Sequence, residues 1–116
     1  MQLESLLEKS QIDVNSNYQC LYFGEPVLWN LLHCASFFGQ DKILCLLVDK
    51  YKGNIEKKDG THKGTCLGWS AFGNQFETAS TLITKYKAKV MSQNKHKQSP
   101  WNLLENKSTK WKDLFQ

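Results

Sequence analysis

Thirty-five residues after Asn30 the sequence begins to repeat itself. The segment Asn30 to Asp59 reads NLLHCASFFGQDKILCLLVDKYKGNIEKKD, and Thr65 to Asn94 reads TCLGWSAFGNQFETASTLITKYKAKVMSQN. At an offset of 35, Leu32 meets Leu67, Ala35 meets Ser70 and Gly39 meets Asn74. Farther on, Leu47 meets Leu82, Val48 meets Ile83, Lys50-Tyr51-Lys52 meets Lys85-Tyr86-Lys87, and Ile55 meets Val90. A third start, Ser99-Pro100-Trp101-Asn102-Leu103, follows at an offset of 34. Self-similarity at such a period is the mark of stacked supersecondary units.

Each unit reads as two short helices. The first spans about Leu32 to Phe38 and closes at Gly39, or at Asn74 in the second unit. Glycine and asparagine are the residue types that tolerate the left-handed conformation ending many helices. The second helix spans about Asp41 to Lys50, where Ile43, Leu44, Leu46, Leu47 and Val48 give a broad apolar face. Polar, lysine-containing stretches follow and end in Asp59-Gly60 or Asn94-Lys95, which are turn signals. Neither helix buries its face alone, but neighbouring units shield one another.

These segments resemble the ankyrin repeat, whose unit runs as a turn, T-P-L-H-x-A-A-x-x-G-H, an aliphatic helix and G-A-D-V-N. Asn30-Leu31-Leu32-His33-Cys34-Ala35-Ser36-Phe37-Phe38-Gly39-Gln40 occupies the first stretch, and Thr65-Cys66-Leu67-Gly68-Trp69-Ser70-Ala71-Phe72-Gly73-Asn74-Gln75 the second. Leu6-Leu7-Glu8-Lys9 with Ile12-Asp13-Val14-Asn15 is similar to the tail of an earlier unit. The resemblance implies an all-α ankyrin-repeat solenoid and a single domain. Its parts are a partial unit at 1–16, an extended finger at 17–29, units at 30–60 and 61–94, and a capping unit at 95–116. Trp111, Leu114 and Phe115, at i, i+3, i+4, place the last helix at Thr109 to Phe115. The resemblance also implies that His33 ties neighbouring loops; Gly68 and Asn102 stand where later units would carry that histidine.

Charge is unevenly placed. Residues 1–58 hold six lysines and seven acids, for −1, and residues 59–116 hold nine lysines and four acids, for +5. All fifteen basic residues are lysine. The planar guanidinium fork that reads guanine is therefore absent, which argues against base-specific recognition of nucleic acid. The longest apolar run is six residues, Ile43 to Val48, against the roughly 20 a membrane helix needs. The polar start MQLESLLEKS has no secretory character, so a cytoplasmic location is expected. A Lys- and Asn-rich composition also suits a microbial effector in a host-cell cytoplasm. Cys20, Cys34, Cys45 and Cys66 form no C-x-x-C pair, and reduced thiols are the expectation.

The chemistry offered by these residues is thin. His33, Cys34, Cys45, His62 and Cys66 are the candidate metal ligands. Adjacent His33 and Cys34 diverge on a helix, and His62-x-x-x-Cys66 has tolerable spacing, but structural zinc draws paired ligands from two sides. Cys66 begins a helix, where thiols gain reactivity, and His62 is its only local partner, short of the base-and-orienter set that a nucleophile needs. Neither phosphate-loop pattern occurs. No catalytic residue, cofactor or metal is expected, and no small-molecule substrate.

The expected activity is non-catalytic binding of another protein through a concave surface. In the ankyrin-like register that surface presents Trp29 from the finger, Phe37 and Phe38 from the first unit, and Phe72 from the second. His62, Lys63, Lys95, His96 and Gln98 join from the loops. Aromatic residues dominate the anchors of protein interfaces. Phe37, Phe72 and Trp69 have core positions open to them as well, Trp69 lying where residues pack between units. Two alternatives stand beside this reading. The lysine face of Lys85, Lys87, Lys89, Lys95 and Lys97, continuing at Lys107, Lys110 and Lys112, is suited to nucleic acid or an acidic membrane, and the chain is also suited to direct a larger enzyme to its substrate.

Overall fold

The computed structural model describes residues 13–22, 24–105 and 107–115. Strands β1 (Tyr18–Tyr22) and β2 (Glu25–Trp29) pair antiparallel, Tyr18 opposite Trp29 and Tyr22 opposite Glu25. Six helices follow among the described residues: α1 (Leu31–Phe38), α2 (Asp41–Asp49), α3 (Cys66–Phe72), α4 (Phe76–Thr84), α5 (Pro100–Leu103) and α6 (Thr109–Phe115).

The expected all-α ankyrin solenoid is thus overturned. Within the extended finger expected at 17–29, Tyr18–Tyr22 and Glu25–Trp29 build a two-stranded sheet that packs with the helices in one body of 43 × 29 × 21 Å. The physical cause is local. Tyr-Gln-Cys-Leu-Tyr and Glu-Pro-Val-Leu-Trp are rich in aromatic and apolar side chains suited to a pleated surface, and a two-residue connection with Gly24 at φ 83° joins them. Of the partial unit expected at 1–16, residues 1–12 lie outside the described residues.

The sequence offset reappears in the helix starts. Leu31 and Cys66 are 35 residues apart, as are Asp41 and Phe76, and Pro100 follows Cys66 by 34. Polar caps open the first helix of each pair. Asn30 Oδ1 accepts the His33 N–H at 2.9 Å, Thr65 Oγ1 accepts the Gly68 N–H at 3.4 Å, and Asn102 Oδ1 accepts the Ser99 N–H at 3.0 Å. Gly39 (φ 71°) and Asn74 (φ 57°) both take the left-handed conformation after their helices, and the next N–H in each case returns to a carbonyl inside the helix, at Ala35 and Ser70.

Helix α3 packs between α1 and α5, and α4 packs between α2 and α6. Leu32, Leu44, Leu47, Leu67, Leu82 and Trp111 fill the interior between these rows. A second buried cluster holds Val27, Trp29 and Trp69, with Cys34 and Phe37 packed against it, and it joins the sheet to α1 and α3. Among the described residues no helix is long and apolar enough to cross a membrane.

Candidate protein-binding surface

The surface is built on two clasped loops. In the first, the buried Asp59 carboxylate accepts the backbone N–H groups of Thr61 (2.9 Å), His62 (2.6 Å) and Gly64 (2.7 Å), while the Asp59 N–H donates to the Gly64 carbonyl (3.0 Å). A fourth donor arrives from α3, since Trp69 Nε1 lies 2.9 Å from Asp59 Oδ1. Burial alone would raise the Asp59 carboxyl's pKa. The hydrogen bonds from His62, Gly64 and Trp69 outweigh burial and hold it below the ordinary carboxylate value.

Asn94 stands 35 residues after Asp59 and plays a similar part with an amide. Its Oδ1 accepts from the His96 and Gln98 N–H groups at 2.9 and 3.0 Å, and its own N–H reaches the Gln98 carbonyl at 3.0 Å. The loops and the sheet are tied in series. The Gly60 N–H donates to the Leu28 carbonyl (2.7 Å), the Leu28 N–H to Thr61 Oγ1 (2.7 Å), and the Lys95 N–H to the His62 carbonyl (2.9 Å). Gly60 permits the first contact, because a Cβ there would stand 2.5 Å from Leu28 Cδ2.

His33 supplies the tie farther back. Its Nε2 lies 2.7 Å from the Lys57 carbonyl and its Nδ1 accepts the Asn30 N–H at 3.2 Å. These partners fix the neutral tautomer with the proton on Nε2. Burial lowers the pKa of the ring, in keeping with that state.

Between the two loops runs a groove of about 230 Å³. His62 and Gly64 form one wall, and Asn94, His96 and Gln98 the other. Gly68, Trp69, Phe72 and Leu103 make its floor and end. Four residues singled out in the sequence, His62, Phe72, His96 and Gln98, therefore meet at one place. Lys63 and Lys95 are exposed on the loops beside it, as is Lys97, and the nearby Asp59 carboxylate is turned inward, so the rim is basic.

The aromatic residues divide differently from the expectation. Trp29 is not presented to the groove: it is 4% exposed, with its ring 4.8 Å from Trp69 and 6.0 Å from Phe37. The parity of β2 decides this, since Val27 and Trp29 face the helices while Leu28 faces out. Phe37 is half-buried, 5.8 Å from both Trp69 and Phe72. Phe38 and Phe72 stand above this cluster, 53% and 48% exposed. Trp69 is buried and also floors the groove, a double role that the sequence reading did not give it. Gly64, Gly68, Asn94 and Leu103 were likewise not identified as lining residues. The recurrence of a turn residue at Asp59 and Asn94 was the available signal for the loop walls.

Cys66 corrects another expectation. The start of α3 does not activate it, because the thiol is buried and burial pushes its pKa up to about 12. Among the described residues no group of three or more His, Cys, Asp or Glu is placed to hold a metal ion. No protein-family model matches the chain, and no curated protein is significantly similar to it.

Proposed function

We propose that this chain is a non-catalytic binding module that engages a segment of another protein at the groove between residues 59–64 and 94–98. The observation that carries this reading is the placement of Phe38 and Phe72, half exposed against buried Trp29 and Trp69 and half-buried Phe37, with Phe72 also lining an apolar-floored hollow. Large apolar rings held in the open by a rigid base are what an interface anchor needs, because little side-chain entropy is left to lose on binding. The clasped loops support the same reading, since the walls are held by internal hydrogen bonds before any partner arrives.

The rim specifies the partner's chemistry. Lys63, Lys95, Lys97 and His96 are exposed around the hollow, so the matching segment carries an apolar side chain flanked by carboxylates. Selection from a displayed random-peptide library tests this. Segments with an aliphatic or aromatic residue beside Asp or Glu are expected, and their binding is lost with the Phe38→Ala/Phe72→Ala variant. Binders that ignore that variant, yet fail when Lys85, Lys87 and Lys89 become glutamate and weaken steeply with salt, move the site to the lysine face.

A further inference from the structure

We propose that the outer edge of β1 is a self-association surface, along which a second copy of this chain adds antiparallel to make a four-stranded sheet. The hairpin's own pairing determines which backbone groups are spare. Leu28 gives its N–H to Thr61 Oγ1 and offers its carbonyl to the Gly60 N–H, both on the side of β2 away from β1. Leu28 stands opposite Gln19. This is therefore a non-hydrogen-bonded pair, and the backbone groups of Gln19 also point away from the hairpin's interior. The alternation continues to Leu21, opposite Pro26. A proline is accommodated where a strand N–H would face outward, which agrees with this parity.

Gln19 and Leu21 thus aim two N–H and two C=O groups off the free side of β1. No described residue bonds to them. Gln19, Cys20 and Leu21 are all exposed, Leu21 to 73%. Open edges are ordinarily blunted by charge, proline or a covering loop. β2 has all three, in Glu25, Pro26 and residues 60–61, whereas Tyr-Gln-Cys-Leu-Tyr in β1 carries neither charge nor proline.

A second copy fits this edge because the strand matches itself about Cys20. With the copies antiparallel, Gln19 of each lies opposite Leu21 of the other. Each such pair exchanges two N–H···O bonds, so every spare group is satisfied. A five-residue edge falls well short of the roughly 1,200 Å² of a stable interface, so the association is weak and depends on concentration.

Sedimentation equilibrium over a wide concentration series tests this. The native chain rises from 13.4 kDa toward twice that mass. Leu21→Pro stays at the monomer mass with unchanged circular dichroism, since the residue 21 N–H makes no bond with a described residue; if it unfolds, Gln19→Pro, of the same parity, replaces it. The register is read in a Cys34→Ser/Cys45→Ser background. There oxidised glutathione, reduced to two glutathione molecules as it takes the thiol hydrogens, links Cys20 to Cys20 of the second copy. A native chain that remains monomeric throughout overturns the proposal, as does association that survives both proline variants. A dimer without the Cys20 link overturns the register.

Discussion

Trp69 Nε1 donates a 2.9 Å hydrogen bond to Asp59 Oδ1, so the residue that floors the groove and the residue that shapes its wall hold each other in place. The loop cannot open without releasing the indole, and the indole cannot turn without leaving a buried carboxylate short of a donor. Asp59→Ala leaves three backbone donors and one indole N–H without their acceptor, at about 1–3 kcal/mol for a buried unsatisfied group. Urea unfolding followed by tryptophan fluorescence measures the loss. Asp59→Asn should cost less, because Asn94 performs a related function with an amide.

The same carboxylate makes stability depend on pH at the acid end. Its folded pKa lies below the ordinary value, so its contribution is complete above the unfolded value of about 3.9 and is lost as pH falls through the folded one. Thermal midpoints measured from pH 5 downward should drop more for the native chain than for Asp59→Asn.

His33 acts in a higher window. Burial depresses its folded pKa, so the neutral ring contributes fully above the unfolded value of about 6.5, and stability falls as pH drops below that. Protonation would also put an N–H on Nδ1, facing the Asn30 N–H that this atom now accepts. His33→Gln should remove the decline between neutral pH and pH 5 while lowering stability at neutrality. Unfolding curves at the two pH values check both effects.

Phe38→Ala and Phe72→Ala should change stability by about 1 kcal/mol or less, as half-exposed positions do, and abolish capture of the selected peptides. Trp29→Ala should instead cost about 3–5 kcal/mol, since it empties the centre of a buried cluster. Calorimetry beside peptide titration separates the two outcomes.

Gly68→Ala separates stability from binding in the opposite sense. A Cβ at Gly68 meets Leu103 Cδ1 at 3.7 Å, an ordinary contact. Alanine should therefore stabilise α3 by about 0.5–1 kcal/mol through helix propensity. The added methyl narrows the groove floor and weakens peptide binding. A higher melting temperature with unchanged affinity would remove Gly68 from the site.

Much of the helical order was legible in the amino-acid string. The offset of 35, the apolar face read at about Asp41 to Lys50, and the left-handed Gly39 and Asn74 are local properties, and local backbone preferences set them. The final helix at Thr109–Phe115 follows from the spacing of Trp111, Leu114 and Phe115 for the same reason. The hairpin was less legible, because a twelve-residue stretch with no period of the helical kind reads as a loop until its pairing is known.

The tertiary structure alone decided which aromatic residues are buried and which are presented. Trp29, Phe37, Phe38, Trp69 and Phe72 are similar in composition and lie at plausible surface positions. The parity of β2 and the crossing of α1 over α3 bury the first and hold two others in the open. The Asp59 clasp belongs to the same class, as do the buried Cys66 thiol and the exposed edge of β1. Each depends on which faces meet across distant segments, and sequence periodicity carries only the spacing within a segment.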